Sequence, residues 1–183
     1  GLRNHQKMNI KLQQKKAFPT QQSIYANSNW LIISSYPMKK GLFPYDEKLI
    51  QRRKQLGLKE TDTSPVIIDL PNSRSSHVAF ATIEPGIGSF ELLTLSRKLV
   101  AAHSSSNPRD IGIIVSGFDT NHAERMAEAI ISAALAASAS MPNFKSDKKT
   151  PSRLKTITLY GVNVRHGFKQ SFGTAEGNAL TRY

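Results

Sequence analysis

Apolar runs and polar breaks alternate along this chain at the spacing of strands and helices. "WLIISSY" (Trp30–Tyr36) is a short apolar run closed by Pro37, which predicts a strand. "DEKLIQRRKQLG" (Asp46–Gly57) places acids first, bases later and a glycine last, the charge order that favours a helix. Two β-rich runs, "PVIIDLP" (Pro65–Pro71) and "SHVAFATIE" (Ser76–Glu84), flank "NSRS" and predict a hairpin. "SFELLTLSRKLVAAH" (Ser89–His103) carries Phe90, Leu92, Leu93, Leu95, Leu99 and Val100 mostly on one helical face, with Ser89 as a candidate cap.

The second half repeats the alternation. "IGIIVSGF" (Ile111–Phe118) is a near-continuous apolar strand of the kind buried on both faces of a sheet. "NHAERMAEAIISAALAASAS" opens with an Asn121-x-x-Glu124 capping box and predicts a long helix of small residues. A polar loop, Met141–Ser152, precedes another strand, "LKTITLYGV" (Leu154–Val162). From Thr174 the residues suit a further helix, which the chain leaves without a glycine cap or proline stop. Strands separated by helices imply βαβ crossovers, so the expected class is α/β: three layers, a mixed and mostly parallel sheet flanked by helices.

Charge changes the picture at the start of the chain. The net charge is +12, from 25 basic and 13 acidic residues, and residues 1–16 hold Arg3, Lys7, Lys11, Lys15 and Lys16 with no acid. This glutamine-rich stretch lacks periodicity, so residues 1–22 are expected to form a disordered basic tail. Gly1 is not a translation start whereas Met8 could be one, which suggests a cloning scar or processed leader. Further basic patches lie at Lys39–Lys54 and Lys145–Lys155. They read as solvated surface, or as a weak site for nucleic acid, although no aromatic residues interleave with them to stack bases. With 39% apolar residues, 21% charged, no cysteine and no run of the roughly 20 apolar residues a bilayer span needs, the chain reads as soluble and cytoplasmic, with no membrane partner.

Candidate chemistry is sparse. "EPGIGSF" (Glu84–Phe90) sets Gly86, Gly88 and Ser89 between a strand and a helix, where backbone N–H groups could cradle a phosphate. The third glycine of a dinucleotide fingerprint and a Walker lysine are both missing, and a tight turn alone would explain the glycines. In "SGFDTNH", Asp119 and His122 could form an acid–base pair, or Asp119, Thr120 and Asn121 could simply start a helix. Asp69 falls on the alternate face of its strand and is expected to meet solvent. His5, His77, His103, His122 and His166 show no metal-ligand spacing, and no serine-hydrolase elbow occurs. No catalytic and no metal-binding residue can be assigned, and no cofactor is expected in this chain.

The last third resembles a known family. The alanine-rich helix, the lysine-bearing loop, "KTITLYG" and "GFKQSFGTAEGNALTRY" resemble the end of the amino-terminal domain of leucyl (cytosol) aminopeptidases. In that family a linker helix joins this domain to the catalytic one, and its pattern stands here as Gly173, Glu176, Gly177, Asn178, Leu180 and Arg182. The resemblance implies a macro-domain-like N-terminal domain over residues 23–172, a linker helix beginning at 173–183, and a chain cut at the domain junction. It implies a parent hydrolase of peptides, usually a homohexamer, that uses two divalent ions (zinc, manganese or magnesium). Its metal ligands lie in a catalytic domain outside this chain, so the chain alone is expected to be inactive, with its own peptidase domain as partner. Two alternatives stay open: a DNA-binding accessory domain, suggested by relatives and the +12 charge, and a stand-alone module for ADP-ribose or phosphate at the Gly86–Gly88 loop.

Overall fold

The structure, a computed structural model, describes residues 9–139 and 151–164. Its frame is one six-stranded sheet. In chain order the elements are β1 (Lys11–Lys15), α1 (Gln21–Ala26), β2 (Asn29–Ser35), α2 (Asp46–Gln55), β3 (Val66–Asp69), β4 (His77–Ile83), α3 (Ser89–Ala101), β5 (Asp110–Ser116), α4 (Thr120–Ala139) and β6 (Thr156–Tyr160). The strands lie in the order β1-β6-β5-β2-β4-β3. All neighbours run parallel except β3 and β4, the expected hairpin, which pair antiparallel with Val66 opposite Phe80.

Apolar side chains leave the sheet on both faces, as the continuous runs of β2, β4 and β5 require. Leu31, Ile33, Ala79, Ala81, Ile113 and Val115 face one way and pack with Leu92, Leu95 and Leu99 of α3 and Met126, Ala127, Ile130 and Ile131 of α4. Their alternates Trp30, Ile32, Val78, Phe80 and Ile114 face the other way, toward Ile24 of α1 and Phe43 and Leu49 beside and within α2. The fold is therefore a three-layer α/β sandwich with a mixed, mostly parallel sheet. Small side chains in α4, such as Ala123, Ala127 and Ala134, are buried where that helix lies against the sheet and α3.

The start of the chain departs from expectation. Residues 11–15 are not a disordered tail but edge strand β1, paired in parallel with β6 at Lys11 opposite Thr156. Ile10 and Leu12 join the core while Lys11 and Lys15 stay exposed, a period of two that the lysines and glutamines dilute. Gln14 is buried, and its amide both donates to the Val164 carbonyl at 3.1 Å and accepts from the Val164 N–H at 3.0 Å. A side chain thus extends the ladder where the backbone pairing ends. α1 begins at Gln21, capped by Thr20, whose hydroxyl accepts from the Ser23 N–H at 3.1 Å.

Two helix starts also shift. α3 is capped by Gly88, so Ser89 is its first helical residue rather than its cap. α4 starts at Thr120, and the capping side chain is Asp119, two residues before the anticipated Asn121: its Oδ1 accepts from the His122 N–H at 2.9 Å. The hairpin turn closes on Asn72, whose side-chain oxygen accepts from the N–H groups of Arg74 and Ser76 at 3.1 and 3.2 Å. The linker pattern at Gly173, Glu176, Gly177, Asn178, Leu180 and Arg182 lies outside the described residues, as do His5 and His166.

Candidate functional site

Open α/β sheets take ligands at the carboxyl ends of their strands, where successive connections leave in opposite directions. Here that reversal falls between β2 and β5. The crevice is filled by protein. The Ser35 hydroxyl donates to the Gly117 carbonyl at 2.8 Å, and a side chain added at Gly117 would collide with Ser35 Oγ. Gly117 also has φ +88°, a conformation that favours glycine, so this corner is locked shut by its own residues.

The open space lies one strand further out. A cleft of about 510 Å³ sits at the carboxyl ends of β2 and β4, between α3 and the segment 61–65 that leads into β3. That volume is within the range of small-ligand sites. Its polar lining comes from Glu84, Glu91, Lys98, Tyr36, Thr61, Thr63, Ser64 and Thr94, the last with its hydroxyl donated to the Phe90 carbonyl at 2.9 Å. Its apolar lining comes from Pro65, Ile87, Leu95 and Phe90.

The Gly86–Gly88 loop forms one wall of this cleft through Glu84, Ile87 and Phe90. Two contacts set its shape. Arg125 of α4 donates through Nη2 to the Ile87 carbonyl at 2.5 Å and through Nη1 to the Pro85 carbonyl at 3.4 Å. On the other side, a Cβ added at Gly88 would lie 2.9 Å from Glu91 Oε1, so the carboxylate three residues into α3 folds back over the first turn. An acid at that place complements the helix dipole. It also occupies the position an anion would need. Gly86, Gly88 and Ser89 are exposed, as phosphate binding would require, and the charged residues around them are Glu84, Glu91, Lys98 and the clamping Arg125.

The segment 61–65 is held from below by Arg53. This buried guanidinium donates to the carbonyls of Lys59 at 2.8 Å and Asp62 at 3.4 Å. Its burial lowers its basicity, and the charges of Asp62 and Glu60 partly restore it. No sequence signal separated Arg53 from its neighbours in "QRRKQ"; only the packing of α2 turns this one inward.

The remaining candidates resolve individually. Asp119 and His122 do meet, at 2.9 Å between Oδ1 and Nδ1, on the exposed first turn of α4. The His122 N–H, then its side chain, hold the Asp119 carboxyl below the usual carboxylate range, which is what a capping acid experiences. Asp69 is exposed, as expected, and accepts from or shares a proton with His77 Nδ1 at 2.7 Å. His77 stands edge-on to His103, with ring centroids 4.9 Å apart. His103 itself is buried, with Nε2 donating to the Trp30 carbonyl at 2.8 Å. The histidines of this corner lie at the amino ends of the strands, opposite the cleft. Among the described residues no group of His, Cys, Asp or Glu is arranged to hold a metal ion, and no helix is long and apolar enough to cross a membrane.

No protein-family model matches the chain, and no curated protein matches it in sequence. Similarity appears among solved structures. A tomato leucine aminopeptidase mutant, K354E, is similar in fold, with a TM-score of 0.61 and 15% sequence identity over 95% of this chain. The matched part is 37% of the tomato chain, so this chain spans well under half the length of that enzyme. At this identity the likeness concerns the fold.

Proposed function

We propose that this chain is the non-catalytic amino-terminal domain of a metal-dependent leucyl aminopeptidase. The observation that carries the reading is the structural match: nearly the whole chain superposes on a 37% portion of a leucine aminopeptidase, as a domain would. The linker-type pattern from Gly173 to Arg182 supports it independently of the coordinates. In this reading the domain packs on a peptidase domain supplied by the rest of the parent protein. It contributes to hexamer assembly and shapes access to the active site. The chemistry belongs to the parent's two divalent ions, zinc, manganese or magnesium, which polarise the peptide carbonyl and activate water. Such a pair requires several carboxylates converging within a few ångströms.

The test is a complementation. The chain 1–183, given manganese, zinc or magnesium, should not hydrolyse leucine p-nitroanilide above buffer. The polypeptide encoded downstream of Tyr183, expressed with it, should co-elute with it and hydrolyse that substrate. Turnover by 1–183 alone would overturn the reading, as would a downstream polypeptide without metal-dependent aminopeptidase activity.

A further inference from the structure

Three hydroxyl residues stand side by side at the carboxyl ends of the central strands. Ser34 of β2 is in register with Thr82 of β4 on one side and with Ser116 of β5 on the other. In-register neighbours share a face of the sheet, here the face of Trp30, Ile32, Val78, Phe80 and Ile114. The layer beneath them on that face, Phe80, Ile32 and Ile114, is wholly apolar. The hydroxyl layer is buried as deeply, with Ser34 2%, Thr82 1% and Ser116 1% exposed.

Buried hydroxyls need partners, because an unmade hydrogen bond costs the full desolvation of the group. Ser34 donates its one proton to the Ser35 carbonyl at 3.2 Å. Thr82 Oγ1 and Ser116 Oγ, on either side of it, meet no hydrogen-bonding group of the protein. Neighbouring strands lie about 4.8 Å apart, too far for one hydroxyl to bond the next. That spacing is within the roughly 5.6 Å that two hydrogen bonds of about 2.8 Å can span through one bridging oxygen.

We propose that this row is a binding site for two internal water molecules, one between Thr82 and Ser34 and one between Ser34 and Ser116. The donors and acceptors match at that number. With its proton committed, Ser34 Oγ keeps two acceptor positions. Thr82 and Ser116 each donate to one water, and each water donates onward to Ser34. Every hydroxyl of the row is then satisfied, and each water has the two polar partners that buried waters require at minimum. The waters tie β4, β2 and β5 together at the point where the β2–β5 ladder ends. The row uses residues 34 to 116 alone, so it does not depend on the aminopeptidase reading.

The test is a crystal structure of the 183-residue chain, joined to denaturant unfolding of that chain and two variants. Electron density is expected for two waters, each about 2.6–3.2 Å from Ser34 Oγ and from one neighbouring hydroxyl. Thr82→Val and Ser116→Ala should each lower the folding equilibrium constant by about 3- to 10-fold, the scale of a lost buried hydrogen bond. Were these hydroxyls unbonded, removing them would leave stability unchanged or raise it. Unchanged or higher stability in both variants would overturn the proposal. So would crystal density showing Thr82 and Ser116 bonded to protein carbonyls with no water between them and Ser34.

Discussion

His103 shows how one side chain can be committed by its surroundings. Its ring is buried, its Nε2–H is donated to the Trp30 carbonyl, and a second imidazole, that of His77, stands against it. Burial pulls its pKa below the ordinary value of 6.5, partly opposed by the Trp30 hydrogen bond and reinforced by the nearness of His77. The unfolded chain therefore takes up a proton at this site near pH 6.5 while the folded chain resists it. Stability falls as pH drops from about 6.5 toward the folded-state pKa, and is insensitive to this group above that window. Urea unfolding between pH 5 and 8 should show that slope, and His103→Gln should flatten it. Neighbouring Gly112 makes the complementary point about size: a Cβ there would lie 2.5 Å from Cζ3 of the Trp30 ring. The sequence "IGIIV" shows a glycine inside a strand. Only the structure shows that the missing side chain is the space the indole occupies.

Among the elements, β1 is the one whose existence was least legible. Its inward positions Ile10, Leu12 and Gln14 alternate with Lys11, Gln13 and Lys15, but three inward residues, one of them polar, make a weak period. Its partner β6 lies more than 140 residues away, so no local rule could have supplied the ladder. Exposed lysines on such an edge also discourage pairing with other chains. Gln14→Ala would remove both hydrogen bonds to Val164 and strand its buried N–H and C=O. A loss of about 1–3 kcal/mol is expected in denaturant unfolding. Amide exchange should quicken first at Val164 and along β6, while β2 and β4 keep their protection.

The helices fared better, because their signals are local. The acids of Asp46 and Glu47 and the bases from Arg52 to Lys54 bracket α2 as read; of the apolar residues read on one face of α3, Leu92, Leu95 and Leu99 are buried, whereas Phe90 and Leu93 are exposed. Their caps were misplaced by one or two residues. Gly88, Ser89, Asp119 and Asn121 are all competent near a helix start, and the entry angle of the chain from β4 or β5 selects among them.

For the whole molecule, charge is the property the sequence states most directly. A net +12 with exposed Lys11, Lys15 and Lys16 along one edge favours association with polyanions whatever the fold does. Duplex DNA should therefore retard the chain on a gel at about 50 mM salt and release it by about 200 mM, as counterion release predicts for contacts made only to phosphates. Retention at the higher salt, or a preference for one sequence, would require contacts that charge alone does not provide.

The chain's own pattern determined the α/β class, the hairpin, the buried strand β5 and the long small-residue helix, because each rests on contacts or periodicities within a few residues. It also contained the linker-type pattern that resembles the aminopeptidases, a likeness of spacing that no coordinate is needed to read. The edge strand β1, the inward turn of Arg53 and the Arg125 clamp on the Gly86–Gly88 loop were decided by tertiary structure. The partners of Arg125 and Gln14 are distant in sequence, 38 and 150 residues away, and that of Arg53, six residues on, lies beyond the end of its own helix. A distant partner leaves no local trace, since the energy that fixes such a side chain appears only once the two segments share a surface.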